Sequence, residues 1–204
     1  MDDRRPSDED LLEPVTVDAT TDPLGMIEGR PALVSYDDRW PGLFMELRTT
    51  LLRELGRRVI SVHHVGSTSV PGLAAKPVLD VLVAVADLDR ALECVPVLEG
   101  LGFEYGPEDD IPERHWFRGR NRGLRTHHLS IAESDSSYFR DHLAFRDALR
   151  CSPDLAVEYE QLKSELLAQH TTGRPLHGGK TAFVTGVLNS VGRSVPSTAS
   201  ANKK

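Results

Sequence analysis

The chain lacks most of the features that mark secreted, membrane-spanning or nucleic-acid-coating proteins. Of its 204 residues only two are cysteine, Cys94 and Cys151, and neither belongs to a CxxC or Cys/His grouping. That argues against a disulfide framework and a structural zinc site, and it fits a compartment where thiols stay reduced. No apolar run nears the ~20 residues needed to cross a bilayer. Residues Met1–Asp10 carry mixed charge where a signal peptide would need an apolar stretch. The expected location is therefore the cytoplasm, with no membrane partner. Positive charge is also short: 24 Lys and Arg against 31 Asp and Glu give a formal net charge of -7. An acidic surface does not attract a phosphate backbone, so nucleic acid is not an expected partner, and any polyanion needs a local basic patch.

Hydrophobic residues make up 39% of the chain, enough for the core of one domain. The expected organisation is a disordered acidic tail over 1–24, a domain over 25–194 and a flexible tail over 195–204. Trp40, Phe44, Leu47, Leu51 and Leu55 recur at helical spacing, which predicts a helix over 38–55 with Pro41 in its first turn and Gly56 at its end. The β-branched run 57–65 predicts a strand. Residues 78–85, VLDVLVAV, predict a central strand covered on both faces. A helix is expected from an Asp87 cap to Gly100 or Gly102, then a polar loop over 106–113 and short strands near 115–118 and 126–132. Helices follow from Ser136 or Ser137, from Pro153, and over 180–191. Their apolar positions, including Leu155, Tyr159, Leu162 and Leu166, are assigned to the core. The fold class is α+β, with a mixed sheet flanked by helices and a helical C-terminal half.

Chemistry concentrates in residues 63–83, HHVGSTSVPGLAAKPVLDVLV. A Gly-Ser turn follows one strand, and a loop leads into a second strand that carries one acid. Gly66 lets the backbone come close to a ligand, and the Ser67 hydroxyl with nearby N–H groups suits phosphate oxygens. Asp80 lies on a strand otherwise built for burial, so it needs a cationic partner: a divalent metal, Lys76 or a helix N-terminus. His64 is placed on the side of the pocket and His63 on the opposite face. Arg114, Arg118, Arg120, Arg122 and Arg125 form a basic cluster with Trp116 and Phe117 between them. The cluster suits a triphosphate, an acidic substrate or RNA; its plainer reading is a hairpin with solvated charges.

The stretch HHVGSTSVPGLAAKPVLDV, His63–Val81, resembles the signature of the GrpB family. The likeness extends to Tyr36, Trp40, RTHHLSI (Arg125–Ile131), HLAFRDALR (His142–Arg150), Tyr159, Lys163 and GKTAFV (Gly179–Val184), and spans roughly residues 30–192. The resemblance implies a nucleotidyltransferase-like core, related to a domain fused to some bacterial dephospho-CoA kinases. It implies a nucleoside triphosphate as co-substrate and a divalent metal, Mg or Mn, with transfer of a nucleotidyl group to a small molecule, or activation of one. Mapped onto this chain, Asp80, His64 and His128 are the expected catalytic residues. Asp80 and His128 are the expected metal ligands, with His127 and Glu133 as further candidates. Gly66, Ser67, Lys76, Arg118, Arg120 and Lys180 are expected to hold the nucleotide. Two departures stand out: Leu82 occupies the second acid position, and Ser130 replaces one histidine of a His-x-His pair. They keep two other classes open. One is a binding or folding-assistance module with a protein partner; the other is a biosynthetic enzyme that uses no nucleotide.

Overall fold

A computed structural model describes residues 22–27, 32–107, 111–169 and 175–192. The expected tails lie outside these residues except at 22–24, where Leu24 is buried in the core. Helix α1 (Trp40–Leu55) precedes strands β1 (Ser61–Val65) and β2 (Leu79–Val85). The short helix α2 (Val95–Gly100) leads to β3 (Phe103–Tyr105), β4 (His115–Asn121) and β5 (Leu124–Glu133). Helices α3 (Ser137–Cys151), α4 (Pro153–Gln169) and α5 (Pro175–Ser190) complete the chain. The strands form one sheet in the order β1-β2-β5-β4-β3. Only β2 and β5 run parallel; the other neighbours are antiparallel. The expected α+β class with a mixed sheet and helical C-terminal half is what the structure shows.

Local chemistry explains most boundaries. Pro41 lies in the first turn of α1, and Gly56, at φ 57, closes its end. β2 sits between β1 and β5 with helices over both faces, which is why nearly all of it is apolar. The Ser136 hydroxyl caps α3 by accepting from the Phe139 N–H at 3.1 Å. The β4–β5 hairpin turns at Arg122 and Gly123, both at positive φ (50° and 81°), which lets the strands run longer than their sequence pattern indicates. Two expectations need correction, and one strand is not anticipated by the sequence. The helix expected from Asp87 is a 3-10 segment, Arg90–Cys94, before α2, because Pro96 cannot continue an α-helix from upstream. The first strand begins at Ser61, after a 3-10 turn at Gly56–Arg58. β3 is three residues long, too short to show alternation.

The sheet has a helix on each side. On one face Trp40, Leu51 and Leu55 of α1 pack on Val81, Val83, Leu129 and Ile131. On the other face Leu82, Ala84 and Ala132 meet Tyr138 and Phe139 of α3. Helices α4 and α5 join α3 through the rings of Phe145, Tyr159 and Phe183. The loop between β1 and β2 is tied down by side chains from α3 and α4. Arg146 donates to the His64 carbonyl at 3.2 Å, Arg150 to the Ser69 carbonyl at 2.9 Å, and Glu160 accepts from the Ala74 N–H at 2.8 Å.

Trp40 is fully buried, and its indole N–H donates to the Pro23 carbonyl at 2.9 Å. Trp40→Ala is expected to cost about 3–5 kcal/mol, read as a lower urea midpoint at unchanged slope.

Candidate functional site

The turn that leaves β1 passes directly over a carboxylate. Val65 pairs with Asp80 across the strands, and Gly66 follows at φ 68, ψ -173. A Cβ at Gly66 would lie 2.2 Å from Asp80 Oδ2, so both the close approach and the backbone conformation require glycine. Asp80 faces His128 on β5, His128 faces Arg118 on β4, and Arg118 faces Glu104 on β3. These pairings set a row of polar side chains across the sheet on the Asp80 face.

His128 Nδ1 lies 3.0 Å from Asp80 Oδ1. With Asp80 ionised, Nδ1 must donate. The Asp80 side chain is ringed by protein yet 39% exposed, so it forms the floor of an open cleft. Burial works against its charge. The hydrogen bond from His128 and the charges of His128, His64 and Lys180 outweigh burial and hold the carboxyl below its ordinary range. His128 Nε2 is buried with no hydrogen-bond partner. Leaving such an atom unpaired costs about 1–3 kcal/mol, so the ring is placed for Asp80 at the expense of its own satisfaction.

Cations gather around this carboxylate. Lys163 on α4 is 2% exposed, and its ammonium donates to Ser67 Oγ at 3.3 Å and to the Ala74 carbonyl. Burial first, and then the charge of Lys180, lower its pKa to about 8, with Glu160 opposing. Lys76 is likewise lowered by burial and then by Lys180, with Asp80 opposing. Burial lowers Lys180 and Asp80 resists the change. Lys163 and Lys180 both lie over the Tyr159 ring, at 5.1 and 5.9 Å. Burial and then Asp80 raise the Tyr159 phenol, while Ser67 acts the other way. The structure thus brings Gly66, Ser67, Lys76, Asp80, His128 and Lys180 into one cleft. It adds Lys163 and Tyr159, which the sequence reading left out of the site. The available signal was a lysine one turn after Tyr159, on a helix face otherwise assigned to the core.

Other expected residues sit elsewhere. His64 shares its face with Val81 rather than Asp80: it stacks on Phe44 at 4.8 Å, and its Nε2 bonds Thr68 Oγ1 at 3.0 Å. Burial, with Arg150 and Arg146 adding and Asp80 opposing, lowers its pKa to about 4. It supports the loop instead of facing the cleft, and His63 is the neighbour on the Asp80 face, against Phe139. His127 points toward Phe103, and burial lowers it to about 4. Arg120 pairs with Glu104 at 3.3 Å near the far edge of the sheet. Arg118 stays in the row, 5.1 Å from the centre of the Trp116 ring. At Ser130 the hydroxyl is held by Arg114 at 3.1 Å and by the Tyr138 hydroxyl at 3.2 Å.

The donor set does not fit a two-ion Mg or Mn centre. Such ions want several oxygen ligands. Asp80 supplies a carboxylate, but Leu82 at the second acid position is fully buried in the apolar layer. The Nδ1 of His128 is engaged by Asp80, and Glu133 accepts from the Leu88 N–H at 3.0 Å. Among the described residues no three His, Cys, Asp or Glu side chains converge. The lysines place positive charge where dications would need negative. Of the expected metal ligands, Asp80 would offer carboxylate oxygens and His128 its Nε2, one short of three side chains.

An α+β protein with a Gly-Ser turn pressed on a lone strand carboxylate is the class defined by fold and site. Residues 30–190 match the family described as GrpB protein, and the chain belongs to the GrpB family. It is 36% identical over 139 residues to the UPF0157 protein YqkA of Bacillus subtilis, covering 68% of this chain and 40% of that protein. It is 38% identical over 139 residues to the UPF0157 protein BH1888 of Halalkalibacterium halodurans, covering 68% of this chain and 69% of that one. The crystal structure of the conserved protein GrpB from Enterococcus faecalis is similar at a TM-score of 0.71 and 33% identity, over 78% of this chain and 96% of that chain. The match therefore spans under half of YqkA but nearly all of the solved GrpB chain.

Two outcomes follow. In Gly66→Ala the new methyl displaces the Asp80 carboxylate from His128. The Asp80 pKa is expected to rise, read by carboxyl 13C NMR, with a stability loss of about 1–3 kcal/mol. His64 and His127 titrate near 6.5 when unfolded and about 4 when folded. Below 6.5 the unfolded chain binds protons that the fold refuses, so stability falls as pH drops from about 6.5 toward 4. Each histidine contributes a slope of about 1.4 kcal/mol per pH unit. His64→Gln is expected to remove its own share of that slope in urea titrations across this range.

Proposed function

We propose that the cleft binds the phosphate groups of a nucleoside triphosphate and that the protein transfers the nucleotidyl group to a small-molecule hydroxyl. The observation that carries this reading is the set of three ammonium groups, Lys76, Lys163 and Lys180, half-buried or buried around the Gly66–Ser67 turn. Burial lowers all three and the charge of Lys180 lowers Lys76 and Lys163 further. Ammonium groups held in this way are costly, and a polyphosphate relieves that cost. The Ser67 hydroxyl and the N–H groups of the turn add donors for phosphate oxygens. Asp80 accepts the hydrogen bond of the acceptor hydroxyl. As that oxygen attacks the α-phosphorus, its proton passes to the carboxylate and pyrophosphate leaves toward the lysines. A loose phosphoryl transition state asks for positioning and charge more than for a strong base, which suits a carboxylate of lowered pKa.

One observation favours a second reading. Leu82 is sealed into the apolar layer where the resemblance implies an acid. On this reading the cleft binds its phosphorylated ligand without turnover, as a binding module. Thermal unfolding with ATP, GTP, CTP and UTP, each with and without Mg²⁺, tests the shared part. A ligand at about 100 times its dissociation constant adds about 2.7 kcal/mol, or roughly 5–10 °C. The shift is expected with at least one nucleotide and should be largely lost in Lys76→Met/Lys180→Met. No shift with any nucleotide would sink the reading. Pyrophosphate release that disappears in Asp80→Asn separates transfer from binding alone.

A further inference from the structure

Beside the polar row runs a second one. Leu82 faces Ser130, and Ser130 faces Trp116, so the Trp116 indole lies on the Asp80 face two strands from Asp80. It is partly exposed, unlike the buried Trp40. Two guanidinium groups lie over its ring: Arg118 at 5.1 Å and Arg114 at 5.8 Å from the ring centre. Arg114 is fixed in place by hydrogen bonds to Ser130 at 3.1 Å and the Tyr138 hydroxyl at 2.7 Å. The His128 ring lies 5.7 Å from the indole, on the side that leads back to Asp80. Trp116 and Arg118 alternate along β4 and so share one face, and Arg114, just before the strand, is brought to that face by its bonds to Ser130 and Tyr138.

We infer that Trp116, together with the Arg114 and Arg118 guanidinium groups over its ring, is the platform on which the base of the bound nucleotide stacks. This deepens the proposed function and rests on it. Two inter-strand steps separate β2 from β4, about 9–10 Å. Lys76 and Lys163 lie at the loop that leads into β2, with Lys180 beside Lys163 over the Tyr159 ring, and the indole stands on β4. A ligand with anionic groups at one end and a planar ring at the other spans that distance across the Asp80–His128 pair, which is the form of a nucleotide. Stacking on an indole tolerates every base, so the platform sets the ligand class rather than the base identity.

The test compares the tightest-binding of the four nucleoside triphosphates with inorganic tripolyphosphate, which has phosphates and no ring. Binding is followed by thermal unfolding and by tryptophan fluorescence; Trp40 and Trp116 are the two tryptophans of the chain. Both ligands are expected to raise the melting temperature, and only the nucleotide to quench fluorescence. Trp116→Leu should abolish the quench and weaken the nucleotide roughly tenfold or more, leaving tripolyphosphate unchanged. Trp116→Phe keeps a ring and should hold most of the nucleotide affinity. Nucleotide affinity unchanged in Trp116→Leu, or lost equally in both variants, overturns the stacking while the phosphate site stands. Binding of neither ligand overturns both.

Discussion

The ammonium of Lys163 is the interaction on which the cleft depends. It is buried, it comes from α4, and it reaches the Ser67 hydroxyl and the Ala74 carbonyl in the loop between β1 and β2. A buried charge is costly unless hydrogen bonds satisfy it, and here those bonds do structural work. They fix the loop that carries Gly66 across Asp80. The same helix presents Tyr159 beneath the ammonium groups of Lys163 and Lys180, so α5 is brought to the cleft through one shared ring. Turn, acid and both C-terminal helices are thereby held as a unit.

The parts of this arrangement that are local in sequence are legible in it. The Gly-Ser turn, the two-sided strand and its lone acid lie within residues 63–83, and α1 and α3 follow from spacing and caps. What could not be read is the long-range pairing. Ser67 and Lys163 are 96 residues apart, and only the packing of α4 onto the loop brings them together. The exchange of His63 and His64 has a related cause. Which of two adjacent strand residues shares a face with Asp80 depends on the β1–β2 register, and a shift of one residue reverses the answer. The observed pairing of Val65 with Asp80 puts His63 on the acid's side and His64 against Phe44.

The two departures from the family pattern have distinct structural consequences. Leu82 is an integral part of the layer between the sheet and α3, where an acid would be buried among Tyr138, Phe139 and Ala84 without a partner. At Ser130 the smaller side chain leaves room for the Arg114 guanidinium, which bonds its hydroxyl. A titratable imidazole is thus replaced by a charge that persists at every pH a folded protein meets. Both changes remove a candidate metal ligand from this face of the sheet.

Cations built into the chain differ physically from bound metal ions. A metal enters with its ligand and leaves with it, whereas Lys76, Lys163 and Lys180 are a permanent part of the chain. Their lowered pKa values record burial first and, for Lys76 and Lys163, the charge of Lys180; Lys163 at about 8 keeps most of its charge near neutrality. An anion that neutralises the group recovers the cost, so ligand binding and fold stability draw on the same electrostatic free energy. The clamp from α3 and α4 keeps this possible, because the loop and the lysines that repel one another are anchored to helices whose own packing, through Phe145, Tyr159 and Phe183, does not depend on the cleft being filled.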